Sequence, residues 1–155
     1  MKWTGKEITV TESDQAFFSN LVRRNRYLAL ATCDDGIPWI APVEYLAEED
    51  MSLVFFSPVS ARHSRHIAMN DRVAITVFDS TQAEYEPAPV MRLAGVQFEA
   101  SVVKLEPPFP DLVQKQVEAW QLPMPPYAAY RARPLRCFLP VLKDGVNERI
   151  EIPIG

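Results

Sequence analysis

The residues of this chain best placed to do chemistry lie between Ser57 and His66. An apolar run, Leu53 to Phe56, feeds into Ser57-Pro58-Val59-Ser60, and a helical stretch then opens with Arg62, His63, Ser64, Arg65 and His66. Hydroxyls, free amides and cations meeting where a strand hands over to a helix suit a phosphate, because helical N–H groups and side-chain charge point the same way. Arg62 offers a bidentate clamp, and His63 beside it a further donor or partial charge. Ser57, at the strand end, would turn its hydroxyl and amide to a ligand at the sheet rim. The same residues also read as an exposed helix with Ser60 as its N-cap and its cations in solvent.

Other chemistries find less support. His63 and His66 stand one helical turn apart and could share a metal, but no third ligand is near, since Asp71 falls beyond the helix; no metal site is assigned. Neither Cys33 nor Cys137 has a base fixed beside it, and no serine sits in a nucleophile-elbow sequence. Glu48, Glu49 and Asp50 read as a turn, and Glu84 and Glu86 as a solvated loop. Trp39, Trp120, Tyr127 and Tyr130 suit either the core or a stacked ring system. No catalytic side chain is assigned, so any reaction would be carried by a bound cofactor.

The elements that must position these residues follow from periodicity and turn chemistry. Thr11 to Tyr27 reads as a first helix, with Thr11 or Ser13 as cap, Asp14 in its first turn and Arg23, Arg24 and Arg26 near its end. Tyr27–Cys33 alternates as a strand, Asp34-Asp35-Gly36 supplies a tight turn, and Pro38–Leu46 returns. Pro42 in that return marks an edge or bulge. A third strand over Ser52–Phe56, a helix over Ala61–Asn70 and a fourth strand over Val73–Asp79 come next. Thr81–Pro89 reads as an exposed loop, and Met91–Leu105 as a long fifth strand bent or bulged at Gly95. Asp111–Trp120 has helical period, and the proline-rich QLPMPPY after it reads as a stiff connection. Leu135–Leu142, a turn at Lys143-Asp144-Gly145 and Arg149–Ile152 complete the chain. Six or seven locally paired strands with two or three helices fit a small antiparallel barrel flanked by helices.

Composition bounds the partners. The chain has 155 residues, enough for one domain with one core; 48% are hydrophobic and 23% charged, a globular balance. A net charge of −4 gives no general attraction to nucleic acid or anionic membrane, and neither partner is expected. The two cysteines are far apart and read as reduced thiols. MKWTGKEITV lacks an apolar leader core, and no apolar run approaches the ~20 residues of a membrane span, so a cytoplasmic protein is expected.

Three stretches, LALATCDDGIPWIAPVEY, LVFFSPVSARHSRHIAMNDRVAITVF and RLAGVQFEASVVKLE, resemble in order and spacing the pyridoxamine 5′-phosphate oxidase-like proteins, a superfamily of flavin-binding split barrels. The resemblance runs from about Tyr27 to Glu106, and GVQFEASVVKLE looks most like small members rather than the oxidase itself. It implies a six-stranded antiparallel split β-barrel with flanking helices, forming a homodimer with one flavin mononucleotide (FMN) in each of two clefts between subunits. The family's aromatic-hydroxyl pair at the end of the third strand falls on Phe56-Ser57. Its Ser-Arg-Lys triplet at the helix start falls on Ala61-Arg62-His63. Ser57, Arg62 and His63 would then hold the FMN phosphate, Ala41-Pro42-Val43 would lie along the isoalloxazine ring, and Thr32 would sit on the hairpin partner. This sequence departs from the pattern at Ala61, which lacks a hydroxyl, and at His63, where lysine is usual. The oxidase's second-strand arginine falls on Ala41 and its flavin-contacting glutamine near Val90. Its C-terminal substrate motif has no clear counterpart in Arg136–Pro140. The resemblance therefore implies an FMN-binding oxidoreductase acting on an unidentified small molecule, not on pyridoxamine phosphate. Two alternatives use the same fold: a flavin or haem carrier or stress-related protein, with His63 or His66 toward the haem, or an enzyme of the deazaflavin F420.

Overall fold

A computed structural model describes residues 10–79 and 95–154. The Thr81–Pro89 loop, Val90 and the first residues of the expected fifth strand lie outside them. In chain order the elements are α1 (Glu12–Arg24), β1 (Tyr27–Asp34), β2 (Ile37–Ala47), β3 (Leu53–Pro58), α2 (Arg62–Met69), β4 (Arg72–Phe78), β5 (Gly95–Lys104), α3 (Asp111–Trp120), β6 (Tyr127–Lys143) and β7 (Val146–Ile152).

Local chemistry sets the boundaries. Thr11 and Asp14 close a reciprocal capping box at the start of α1: Asp14 N donates to Thr11 Oγ1 at 3.1 Å, and Thr11 N donates to Asp14 Oδ2 at 2.9 Å. The helix ends at Arg24, short of the expected Tyr27, which opens β1 instead. Asp35 and Gly36 both take positive φ, 48° and 74°, as a two-residue type I′ hairpin turn requires. That turn locks the β1–β2 register, with Leu30 opposite Ala41 and Thr32 opposite Trp39. Pro42 lies where β2 pairs with β1 alone, because β3 meets β2 only at Tyr45–Ala47; its missing N–H is tolerated on that open edge.

All pairings are antiparallel, in the order β3-β2-β1-β4-β5-β6-β7, and a β3–β6 pairing closes the first six strands into a barrel with β7 added to β6. The interior is filled by alternate residues: Leu28 and Leu30, Val43 and Tyr45, Val73, Ile75 and Val77, Val96, Phe98, Ala100 and Val102. Helix α1 packs Phe18, Leu21 and Val22 on this core, and the Tyr45 hydroxyl donates to the Val22 carbonyl. Helix α3 covers the outside of the β3–β6 corner, where Val113 meets Val54 and Ala129.

Strand β6 differs most from expectation. It begins at Tyr127 rather than Leu135, so residues 128–134, to which the sequence assigns no element, are strand, while the QLPMPPY connection precedes it up to its last residue. The bulge falls not at Gly95 but between Glu99 and Ala100: Glu99 faces Arg136 and Ala100 faces Pro134, leaving Leu135 as the extra residue. The physical reason is phase. Ala128, Tyr130, Ala132 and Pro134 are buried at even positions, Cys137 and Leu139 at odd ones. One inserted residue lets both halves face the interior.

Leu135→Ala is expected to change stability by no more than about 1 kcal/mol, as for an exposed side chain. Deleting Leu135 would turn one half of β6 inside out and remove most of the ~5–15 kcal/mol that holds a domain folded. Denaturant unfolding of both variants checks this, and a deletion as stable as the parent would refute the phase argument.

Candidate functional site

The strand-to-helix segment is held at both ends. Ser57 is buried on β3 opposite Ala128, and the Val59 amide donates to the Pro126 carbonyl at 3.1 Å. The Ala61 amide donates back to the Pro58 carbonyl at 3.0 Å, making the turn from which α2 starts. The N-cap is Ala61, not Ser60, and among the described residues no side chain caps the helix. Its first turn holds no acidic residue and starts with Arg62 and His63. Uncapped amides with cations beside them form an anion-ready helix start.

The four predicted side chains make two contact sets joined along α2, Ser57 with His63 and Arg62 with Thr32 through His66. His63 Nε2 and Ser57 Oγ are hydrogen-bonded at 2.8 Å, with the His63 ring edge-on to Phe55. Arg62 places its guanidinium carbon 4.5 Å from the centre of the Trp39 ring. Its Nε donates to His66 Nε2 at 3.4 Å, and His66 Nδ1 meets Thr32 Oγ1 at 3.1 Å in a buried pair. Thr32 is thus tied to α2 through His66. Ala41 and Val43 are buried while Pro42 between them is exposed, so alternation splits this trio between the two faces of β2. His63 and His66 turn to different partners, Ser57 and Thr32, rather than toward one shared point.

Burial, and secondarily the neighbouring His66, hold the His63 imidazole below its ordinary pKa. Arg24, Arg26, Arg131 and Arg136 each pair with a carboxylate, whereas Arg62's contacts in the described residues are an imidazole and an indole. Its charge remains available to an incoming anion. The roles of Trp39 and His66 escaped sequence reasoning, although the signals were present: the Asp-Asp-Gly turn puts residue 39 opposite residue 32, and His66 is four residues from Arg62. Both cysteines are free; Cys137 is buried, and burial pushes its thiol up to about 12. Among the described residues no cluster of three or more His, Cys, Asp or Glu could hold a metal ion.

A closed six-stranded antiparallel barrel with one added strand and flanking helices defines the fold class. A family profile for pyridoxamine 5′-phosphate oxidase matches residues 15–139, and the chain belongs to that oxidase-like family. No curated protein matches. Among solved structures, HutZ, the haem storage protein of Vibrio cholerae, is 20% identical with a TM-score of 0.63, covering 81% of this chain and 93% of its own. A haem-binding protein from Mycobacterium smegmatis is 17% identical with a TM-score of 0.64, covering 93% of this chain and 59% of its own. An FAD-binding protein from Mesorhizobium loti is 18% identical with a TM-score of 0.54, covering 77% of this chain and 88% of its own. At these identities the likeness establishes the fold.

The depressed His63 pKa carries a sign. The unfolded chain takes up this proton near pH 6.5, whereas the folded chain resists it until lower pH, so acidification through that interval favours unfolding. His63's contribution is complete above about pH 6.5 and lost below it. The parent is expected to lose more stability between about pH 7.5 and 5.5 than His63→Gln does. Denaturant midpoints at the two pH values test this, and equal losses would remove His63 from the account.

Proposed function

We propose that this protein is an FMN-binding oxidoreductase whose site is the β3–α2 cluster. The observation that carries the reading is the start of α2, which among the described residues has no side-chain cap and no carboxylate, with a half-buried Ser57–His63 pair and a guanidinium that meets no acidic side chain among those residues. Ser57 and His63 would hold phosphate oxygens, Arg62 would supply full charge, and the first-turn amides would complete the cradle. These residues fit a phosphate monoester. Bound flavin would supply the redox chemistry, and the chain would supply anchoring and an apolar wall. Of the trio on β2, Ala41 and Val43 are buried and Pro42 is exposed, so Pro42 would be the one to meet a ring system.

The outer face of the sheet supports a homodimer. Ala29, Ala31, Ile40, Pro42, Ala74, Phe78 and Phe138 make it apolar, with Ile40 62% and Phe78 49% exposed. A second copy would cover this surface and, with Pro42 within it, form one wall of a shared cleft. Among the described residues no helix is long and apolar enough to cross a membrane. A cytoplasmic setting and a small-molecule substrate complete the proposal.

Purified protein should be yellow, and the spectrum and mass of the copurifying ligand separate FMN from F420 and from haem, whose Soret band is distinct. Arg62→Ala is expected to weaken FMN binding roughly ten- to a hundredfold, the ~1.5–3 kcal/mol of a charged hydrogen bond. Colourless protein that takes up no FMN on titration would sink the reading. In a separate test, Ile40→Asp should convert a sedimenting dimer to monomer and loosen flavin with it; an unchanged mass would exclude this face as the interface.

A further inference from the structure

We propose that His66, held by Thr32, is a positioning residue that fixes the Arg62 guanidinium over Trp39 at the rim of the site. Four contacts close a circuit. Thr32 and Trp39 face each other across the β1–β2 hairpin. Thr32 Oγ1 meets His66 Nδ1 at 3.1 Å, Arg62 Nε meets His66 Nε2 at 3.4 Å, and the guanidinium lies 4.5 Å from the Trp39 ring centre. His66 and Thr32 are both buried, at 7% and 3% exposure, while Arg62 is an exposed side chain at the first position of α2.

The donor arithmetic assigns the proton. An arginine Nε–H only donates, so His66 Nε2 must offer its lone pair. In the neutral ring the proton is then on Nδ1, and it donates to the Thr32 hydroxyl. Arg62 thereby selects the tautomer, and the Thr32 hydroxyl, which can accept from Nδ1–H, holds the ring in the orientation that meets it. The contact occupies Nε and leaves the two terminal nitrogens of the guanidinium to grip an acceptor. A long, exposed arginine would otherwise sample many rotamers, and ordering it in advance lowers the entropic cost of binding. Sequence places these residues on three different elements, and only the hairpin register and the i,i+4 step along α2 bring them together.

The part of this proposal that concerns ligand affinity rests on the FMN-phosphate reading; the part that concerns Arg62's placement does not. The test separates them. With Trp3 and Trp120 replaced by phenylalanine, Trp39 is the sole indole emitter. Arg62→Ala should shift its emission, and His66→Phe and the near-isosteric Thr32→Val should shift it in the same direction. His66→Gln, which can accept from Arg62 while donating to Thr32, should recover most of the parent signal. In FMN titrations His66→Phe should weaken binding roughly three- to tenfold, a coupling of the size seen between contacting residues, and should add nothing once Arg62 is alanine. Parent-like Trp39 emission in both Thr32→Val and His66→Phe, or a full additive loss in the Arg62→Ala background, would overturn the proposal. If the parent binds no FMN, the flavin reading fails, while the emission series still decides whether His66 positions Arg62.

Discussion

The pairing of β3 with β6 is the contact on which the site depends. Strand β3 meets β2 over only three residues, Leu53 to Phe55, but meets β6 over six, Leu53 to Pro58. Without β6, the segment that delivers Ser57 would be a nearly free edge with unpaired backbone groups. Its two faces are then secured separately. Inside, Phe55 stacks on Tyr130 with ring centres 5.3 Å apart; outside, Val54 and Ala129 are sealed by Val113 of α3. The pairing continues past the strand, where the Pro126 carbonyl receives the Val59 amide. The proline-rich segment therefore steers the chain into α2, and a site on one strand-to-helix junction is fixed by residues some seventy positions later.

Charge is distributed with the same economy. Arg131 grips Glu48 through two 2.6 Å hydrogen bonds, and Arg136 grips Glu151 through bonds of 3.0 and 2.9 Å. These pairs neutralise cations along the β6 side of the barrel, while Arg62 is set against an imidazole and an indole. A cation set against aromatic rings rather than a carboxylate keeps its field for an arriving anion. In a chain with net charge −4, that is a local exception to the overall balance. It is the electrostatic feature that singles this junction out as the candidate site.

Much of this was legible in the sequence because the signals were local. The Asp-Asp-Gly turn fixed a hairpin register, the capping residues bounded α1, and the apolar period of Asp111–Trp120 matched α3 at both ends. Ser57 and His63 were both singled out, and they touch. What was not legible depended on pairing. Tyr127–Pro134 lacks a clean strand signature because arginines and a proline interrupt it, yet β3 and β5 on either side make it strand. Gly95 looked the natural place to bend, but the phase conflict between the halves of β6 puts the bulge beside Leu135, a residue with no turn propensity of its own. Ser60 looked the better cap by type, but the turn closed by the Ala61 amide on Pro58 starts the helix one residue later.

That displacement alters what the site can be. With serine at the cap, a side-chain oxygen would satisfy the first amides of α2, and an incoming anion would have to displace it. With alanine there, those amides meet no side-chain acceptor among the described residues, and the loss of one hydroxyl would be offset by donors left open. Histidine in place of a lysine acts similarly. A lysine buried against Ser57 and Phe55 would pay for desolvation at all times, whereas a half-buried neutral imidazole carries no such penalty until an anion arrives. A phosphate dianion beside His63 would raise its proton affinity, opposing the burial that now lowers it. The two departures from the family pattern, Ala61 and His63, thus work in one direction. They would make a junction that is stable when empty and gains its full positive character only when an anion binds.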